Sequence, residues 1–199
     1  MSVLTLAITV LRVAGEVNDW NPTLFAREAG GGGGLVGIGW LMPVCGFWFA
    51  RSLGANGHAP RDRKRALGVG AIGLLGVVTS FAIGRFVLPV AIGTFVFVLA
   101  ALAACATAAF AAWAALARVL LVYALLARVP TVAVTVVAVA SDWGTHYEKL
   151  APGSAPMSDV ARTVALCAAQ LGIWIPLTLL IGGFVGALAT RRPRPADAH

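Results

Sequence analysis

Apolar residues in this chain run in long blocks separated by short polar breaks. Residues 34–50, 66–84, 86–113, 120–140 and 160–189 are such blocks, each near or above the ~20 residues that carry a helix across ~30 Å of hydrocarbon. The pattern predicts five membrane spans. The first nineteen residues read differently. At 100° per residue, Ser2, Thr5, Thr9, Arg12, Glu16 and Asp19 fall on one narrow face, while Leu4, Leu6, Ile8, Leu11 and Val13 lie away from it. This is an amphipathic helix, lying in the interface or packing its polar stripe inward. A short sixth span is the alternative, against which its length and Arg12 both count. A signal peptide would need a basic start and a small-residue cleavage pattern, and neither is present.

Asn21-Pro22 ends that helix, and Gly30 to Gly34 form a hinge before the first span. A phosphate-cradling loop would need a Lys-Ser/Thr ending after a strand, which is missing. The expected fold is therefore all-α: a polytopic transmembrane helical bundle of about five spans preceded by an N-terminal amphipathic helix. Its parts are residues 1–33 (helix and hinge), 34–190 (bundle) and 191–199 (basic tail).

Composition agrees with that pattern. Of 199 residues, 59% are hydrophobic and 12% charged, against roughly 45–50% and ~25% in soluble domains. The net charge of +7 would raise nucleic acid as a partner in a soluble protein. Here Arg51, Arg61, Arg63, Lys64, Arg65 and Arg191 to Arg194 sit in loops between or after spans. They follow the positive-inside pattern, so the partner is the lipid bilayer and nucleic acid is not expected. Four crossings separate the Arg51–Arg65 loop from the tail, which puts both on the cytoplasmic side. Glu16, Asp19, Glu28, Asp142, Glu148 and Asp159 gather on the other. The expected location is a bacterial inner membrane, multi-pass, with the C-terminus cytoplasmic.

Small residues four apart let helix backbones approach closely. Gly76, Ser80 and Gly84 in the second span and Gly182 and Gly186 in the fifth are expected to meet. Ala100, Ala104, Ala108 and Ala112 repeat in the third. Such faces are also where a membrane-protein partner or a second copy would bind.

Few polar groups can carry chemistry. Arg128 lies near mid-span if the fourth span begins at Arg118, where a charge costs at least ~2.5 kcal/mol and is by default paired or functional. Pro130 removes a backbone donor two residues later. The alternative is an interfacial elbow from which Arg128 snorkels to the headgroups. With no carboxylate inside the spans, the expected partner of an inward Arg128 is a neutral acceptor, Gln170 foremost. The loop after the fourth span holds Asp142, Trp143, His146, Tyr147 and Glu148. Its aromatics suit the membrane interface. Its acids and histidine could orient a general base, or else form a solvated polar loop. That loop and the N-terminal helix are expected to dock, Arg12 and Arg27 against Asp142 and Glu148. Cys45, Cys105 and Cys167 lack metal-ligand spacing, and no cofactor is expected.

Arg128-Val129-Pro130 with Trp143-Gly144-Thr145-His146-Tyr147, and Leu11-Arg12-Val13-Ala14-Gly15-Glu16 with the glycine run, resemble a signature in uncharacterised bacterial polytopic membrane proteins. That resemblance implies a bacterial membrane protein and no activity. Three roles compete. The first is structural, accessory or protein-interaction. The second is a transporter or channel subunit using Arg128 in a broken helix. The third is an enzyme using Asp142, His146 and Glu148. A polar cavity reaching Arg128, a pocket at His146, or neither would separate them.

Overall fold

The computed structural model describes residues 1–29, 35–86, 91–150 and 154–190; for residues 81, 84–86 and 91–97 it describes the backbone alone. The Gly30–Gly34 hinge and the 191–199 tail lie outside the described residues, and so does the expected Gly84 contact. The described chain is all-helical, with no strands. Its helices are α1 (Ser2–Val17), α2 (Leu41–Ala55), α3 (Arg63–Phe86), α4 (Ala91–Ser141), α5 (Asp159–Gly172) and α6 (Trp174–Ala189), with one 3-10 turn at His146–Glu148. Two helical stretches, Val98–Ser141 and Asp159–Ala189, are long and apolar enough to cross a membrane, by length and composition. Five spans would go beyond these two. In particular α2 begins only at Leu41 and has 15 residues, about 22 Å, so it is shorter than a bilayer.

Two of the expected boundaries have backbone causes. The third and fourth blocks are joined in α4, where Trp113 alone leaves helical geometry (φ −154°, ψ 79°). Its indole Nε1 donates to the His58 carbonyl at 2.9 Å, which fixes the bend. The fifth block divides at Ile173, between α5 and α6. Pro176 explains this, because its ring clashes with the carbonyl four residues back and provides no donor to it. Pro130, by contrast, sits inside α4 with no interruption.

The chain forms two compact units. One comprises Met1–Met42 and Leu121–Leu177, the other Pro43–Leu120 and Thr178–His199. In the second unit a methyl at Gly46 would overlap the backbone of Gly182, and one at Gly186 would meet Leu116 and Ala50. A methyl at Gly70 or Gly73 would meet Phe184 or Leu180. So Gly182 and Gly186 do pack closely, but against α2. The α3 residues that approach α6 are Gly70 and Gly73, and Gly76 has open space beside it. The expected Gly76 contact is corrected accordingly: α3 offers several small-residue registers, and the one used lies on another face. Arg63 donates to the carbonyls of Ala187 (2.9 Å) and Leu188 (3.3 Å), capping the end of α6.

In the first unit α1 lies along α4. Thr5 Oγ1 and Tyr123 Oη are 3.2 Å apart, and Glu16 meets His146 at the other end of the helix. Thr5, Thr9, Arg12 and Glu16 are buried, whereas Val3, Leu4, Leu6, Val10 and Leu11 are exposed. The helix thus packs its polar stripe inward and turns its apolar side out. It ends where Asn18 Nδ2 bonds the Ala14 carbonyl and Asp19 adopts φ 52°. Phe25 then folds back against Gly15, where a side chain would strike its ring.

Candidate functional site

The buried stripe of α1 builds one wall of the site. Thr9 satisfies its hydroxyl on the Thr5 carbonyl (2.9 Å). Arg12 and Glu16, one helical turn apart, form an ion pair of 2.7 Å between Nε and Oε1. Arg12 Nη2 also donates to the Ala26 carbonyl at 3.1 Å. Arg27 reaches the Glu16 carbonyl and pairs with Asp19 at 2.7 Å, tying the following loop to the helix end.

Glu16 is the acceptor that holds the distant loop. Its Oε2 accepts from the His146 backbone N–H at 2.9 Å, and its Oε1 contacts His146 Nδ1. A carboxylate with three donors, one of them a guanidinium, is stabilised in its charged form. His146 is pushed below the ordinary histidine range. Burial is the first cause; the Glu16 bond opposes it, and the Arg12 and Lys149 charges add to it. The imidazole is therefore neutral near pH 7, with Nδ1–H donating to Glu16. Burial likewise raises the Tyr147 phenol above its usual range.

The remaining loop residues depart from the expected cluster. Asp142 is exposed, in the left-handed region (φ 49°). Glu148 is buried, and its Oε2 accepts from the Trp143 N–H at 3.1 Å. Neither acid is the partner of His146. Tyr147 and Thr145 are buried too, so the loop is neither a solvated segment nor an exposed aromatic belt at Tyr147. Docking with α1 is observed, but through Glu16 and His146. Arg12 and Arg27, expected to pair with the loop acids, form their ion pairs with Glu16 and Asp19 instead.

Arg128 forms the floor. It is only 5% exposed. Its Nη1 donates to Gln170 Oε1 at 3.0 Å, the contact expected from the two isolated polar groups. Its guanidinium carbon lies 4.9 Å from the Trp174 ring centroid, within cation–π range. The Nε donor is buried without a partner, and no carboxylate pairs with this side chain among the described residues. Pro130 lies two residues, about half a turn, beyond Arg128, and Thr131 bonds back to Ala127 at 3.2 Å.

Between these walls is a cavity of about 290 Å³. Arg12, Arg128, Lys149, His146, Tyr147, Gln170, Thr9 and Thr131 supply its polar lining; Ile8, Leu35, Ile38, Trp40, Leu166 and Trp174 supply apolar lining. Among the described residues no carboxylate lines it. Three cations face it, with only Glu16 behind them to offset one. Among the described residues no three His, Cys, Asp or Glu side chains converge on a metal position. Sequence reasoning singled out Arg128, His146 and Gln170; it missed Arg12, Lys149 and Trp174 as cavity residues and Glu16 as the carboxylate behind Arg12. The signal for Arg12 and Glu16 was their i, i+4 placement in an apolar helix. For Trp174 there was none. No family model, curated protein or solved structure matches this chain.

Proposed function

We propose that this chain is an integral membrane protein that binds a small anion in the cavity over Arg128, as a transporter or channel subunit does. One observation carries the reading: a buried arginine with no carboxylate partner faces a 290 Å³ cavity that two further cations also line. A charge so placed is costly unless it serves a ligand, and a low-dielectric surround strengthens its attraction for an anion. A purely structural role gives no reason for such a cavity. The enzyme reading loses support because Asp142 and Glu148 do not face His146.

The helices supply up to four full crossings, and the 15-residue α2 would be a short fifth. From residue 114 to Ser141 α4 would cover about 42 Å, enough for one crossing, and Arg128 is about 20 Å from either end. α3 and α5–α6 supply further crossings, and the Trp113 bend separates two within α4. The inward polar stripe of α1, with its apolar side exposed, suits contact with lipid. The basic Arg61–Arg65 loop supports a cytoplasmic position for that end, and the resemblance noted above supports a bacterial inner membrane. The test is thermal melting in a non-ionic detergent against phosphate, sulfate and short carboxylates. Wild type should be stabilised by at least one of them, Arg128→Gln by none, and Arg128→Lys partly. Equal stabilisation of wild type and Arg128→Gln would remove the reading.

A further inference from the structure

The rim of the cavity differs from its floor. Three of its lining residues are exposed: Leu35 at 69%, Trp40 at 50%, and Lys149. A mouth opening only to water would not hold two large apolar side chains among three exposed ones, since exposed apolar patches mark contact with something apolar. Arg128 and Gln170 line the same cavity but are withdrawn from solvent, Arg128 buried and Gln170 half-buried. The cavity's volume is at the lower bound for a drug-sized ligand, so it takes a head group and the first part of a chain. Resting on the anion-binding reading, we propose that the ligand is a single-chain amphiphilic anion. Its carboxylate or phosphate head sits against Arg128, and its hydrocarbon chain leaves across Leu35 and Trp40. Lys149 at the mouth draws the head in.

The experiment uses the full chain in phosphatidylcholine vesicles. Tryptophan quenching by a dibrominated stearate is compared with quenching by its methyl ester, because Trp40 and Trp174 line the cavity. The expected result is saturable quenching by the acid beyond that of the ester. Dodecanoate should compete at far lower concentration than acetate or inorganic phosphate, which share only the head-group contact. Arg128→Gln should raise the half-saturating concentration at least tenfold. Leu35→Gln, at a rim residue 69% exposed, should raise the half-saturating concentration of the acid while leaving every tryptophan reporter in place. If acetate or phosphate competes as well as dodecanoate, the amphiphile proposal is overturned while the anion reading stands. If a two-chain phosphatidic acid competes better than dodecanoate, the single-chain ligand is overturned and a bilayer phospholipid takes its place. If acid and ester quench alike and no small anion stabilises the protein, both readings are overturned.

Discussion

At the scale of single residues the site is held by one carboxylate. Glu16 is fully buried and receives Arg12 and His146. Removing its charge leaves Arg12 buried without a counter-charge, a change that typically costs about 3 kcal/mol or more. Glu16→Gln is therefore expected to lower the melting midpoint sharply, and an unchanged midpoint would show that the pair adds nothing to stability. His146 gives a pH dependence whose sign is determined. Its folded pKa is below 6.5 because of burial, so the unfolded chain binds more protons than the folded one as pH falls. The His146 contribution is complete above about 6.5, the unfolded value, and is lost as pH falls below it through the lower folded value. Melting at pH 5 should come earlier than at pH 7.5, and His146→Asn, which keeps a donor at the Nδ1 position, should reduce that difference. Identical slopes for the two proteins would contradict it. Arg128 and Gln170 could be paired from the sequence because each was the isolated polar group of its span. Glu16 and His146 could not, because 130 positions separate them and counting charges directs attention to arginine–acid pairs instead.

At the scale of elements, close approach depends on which glycine faces a neighbour. Gly46 and Gly76 both sit inside helices, yet among the described residues only Gly46 of the two has a neighbour within reach, the backbone of Gly182. A backbone cannot move aside as a flexible side chain can. Gly46→Ala should therefore destabilise by about 2 kcal/mol or more. Gly76→Ala should be neutral or gain up to about 1 kcal/mol, because alanine loses less backbone freedom on folding. Melting both variants in one detergent checks the contrast, and equal losses would count against the α2–α6 contact. Spacing alone could not have told them apart. Gly68, Gly70, Gly73 and Gly76 offer overlapping small-residue registers along α3, and only the position of α6 selects Gly70 and Gly73. The breaks were more legible. Pro176 accounts for the division at Ile173, and the apolar block that ends at Trp113 stops where the backbone leaves helical geometry. The start of α2 was less so, because residues 35–40 are as apolar as a helix but contain Gly37 and Gly39, which weaken it.

At the scale of the whole molecule, helix content was plain from the apolar blocks, whereas crossing number depends on a membrane that sequence pattern only implies. Geometry within the second unit narrows the choice. Arg63 caps the carbonyls of Ala187 and Leu188, Trp113 binds the His58 carbonyl, and Gly54 lies beside Thr190. The basic loop, the α4 bend and the end of α6 therefore share one end of that unit. If that end is cytoplasmic, as its arginines argue, an even number of crossings must separate residue 57 from the end of α6. The loop at residue 150, one crossing after the bend, must then face the opposite side. A fluorescent reporter that folds only in the cytoplasm should be active when inserted at residue 57 and when fused after residue 199. A phosphatase that works only outside the cytoplasm should be active at residue 150. Phosphatase activity after residue 199 would reverse the orientation. Phosphatase activity at both 57 and 150 would break the crossing count, because no odd number of spans could then separate the bend from the loop that carries His146.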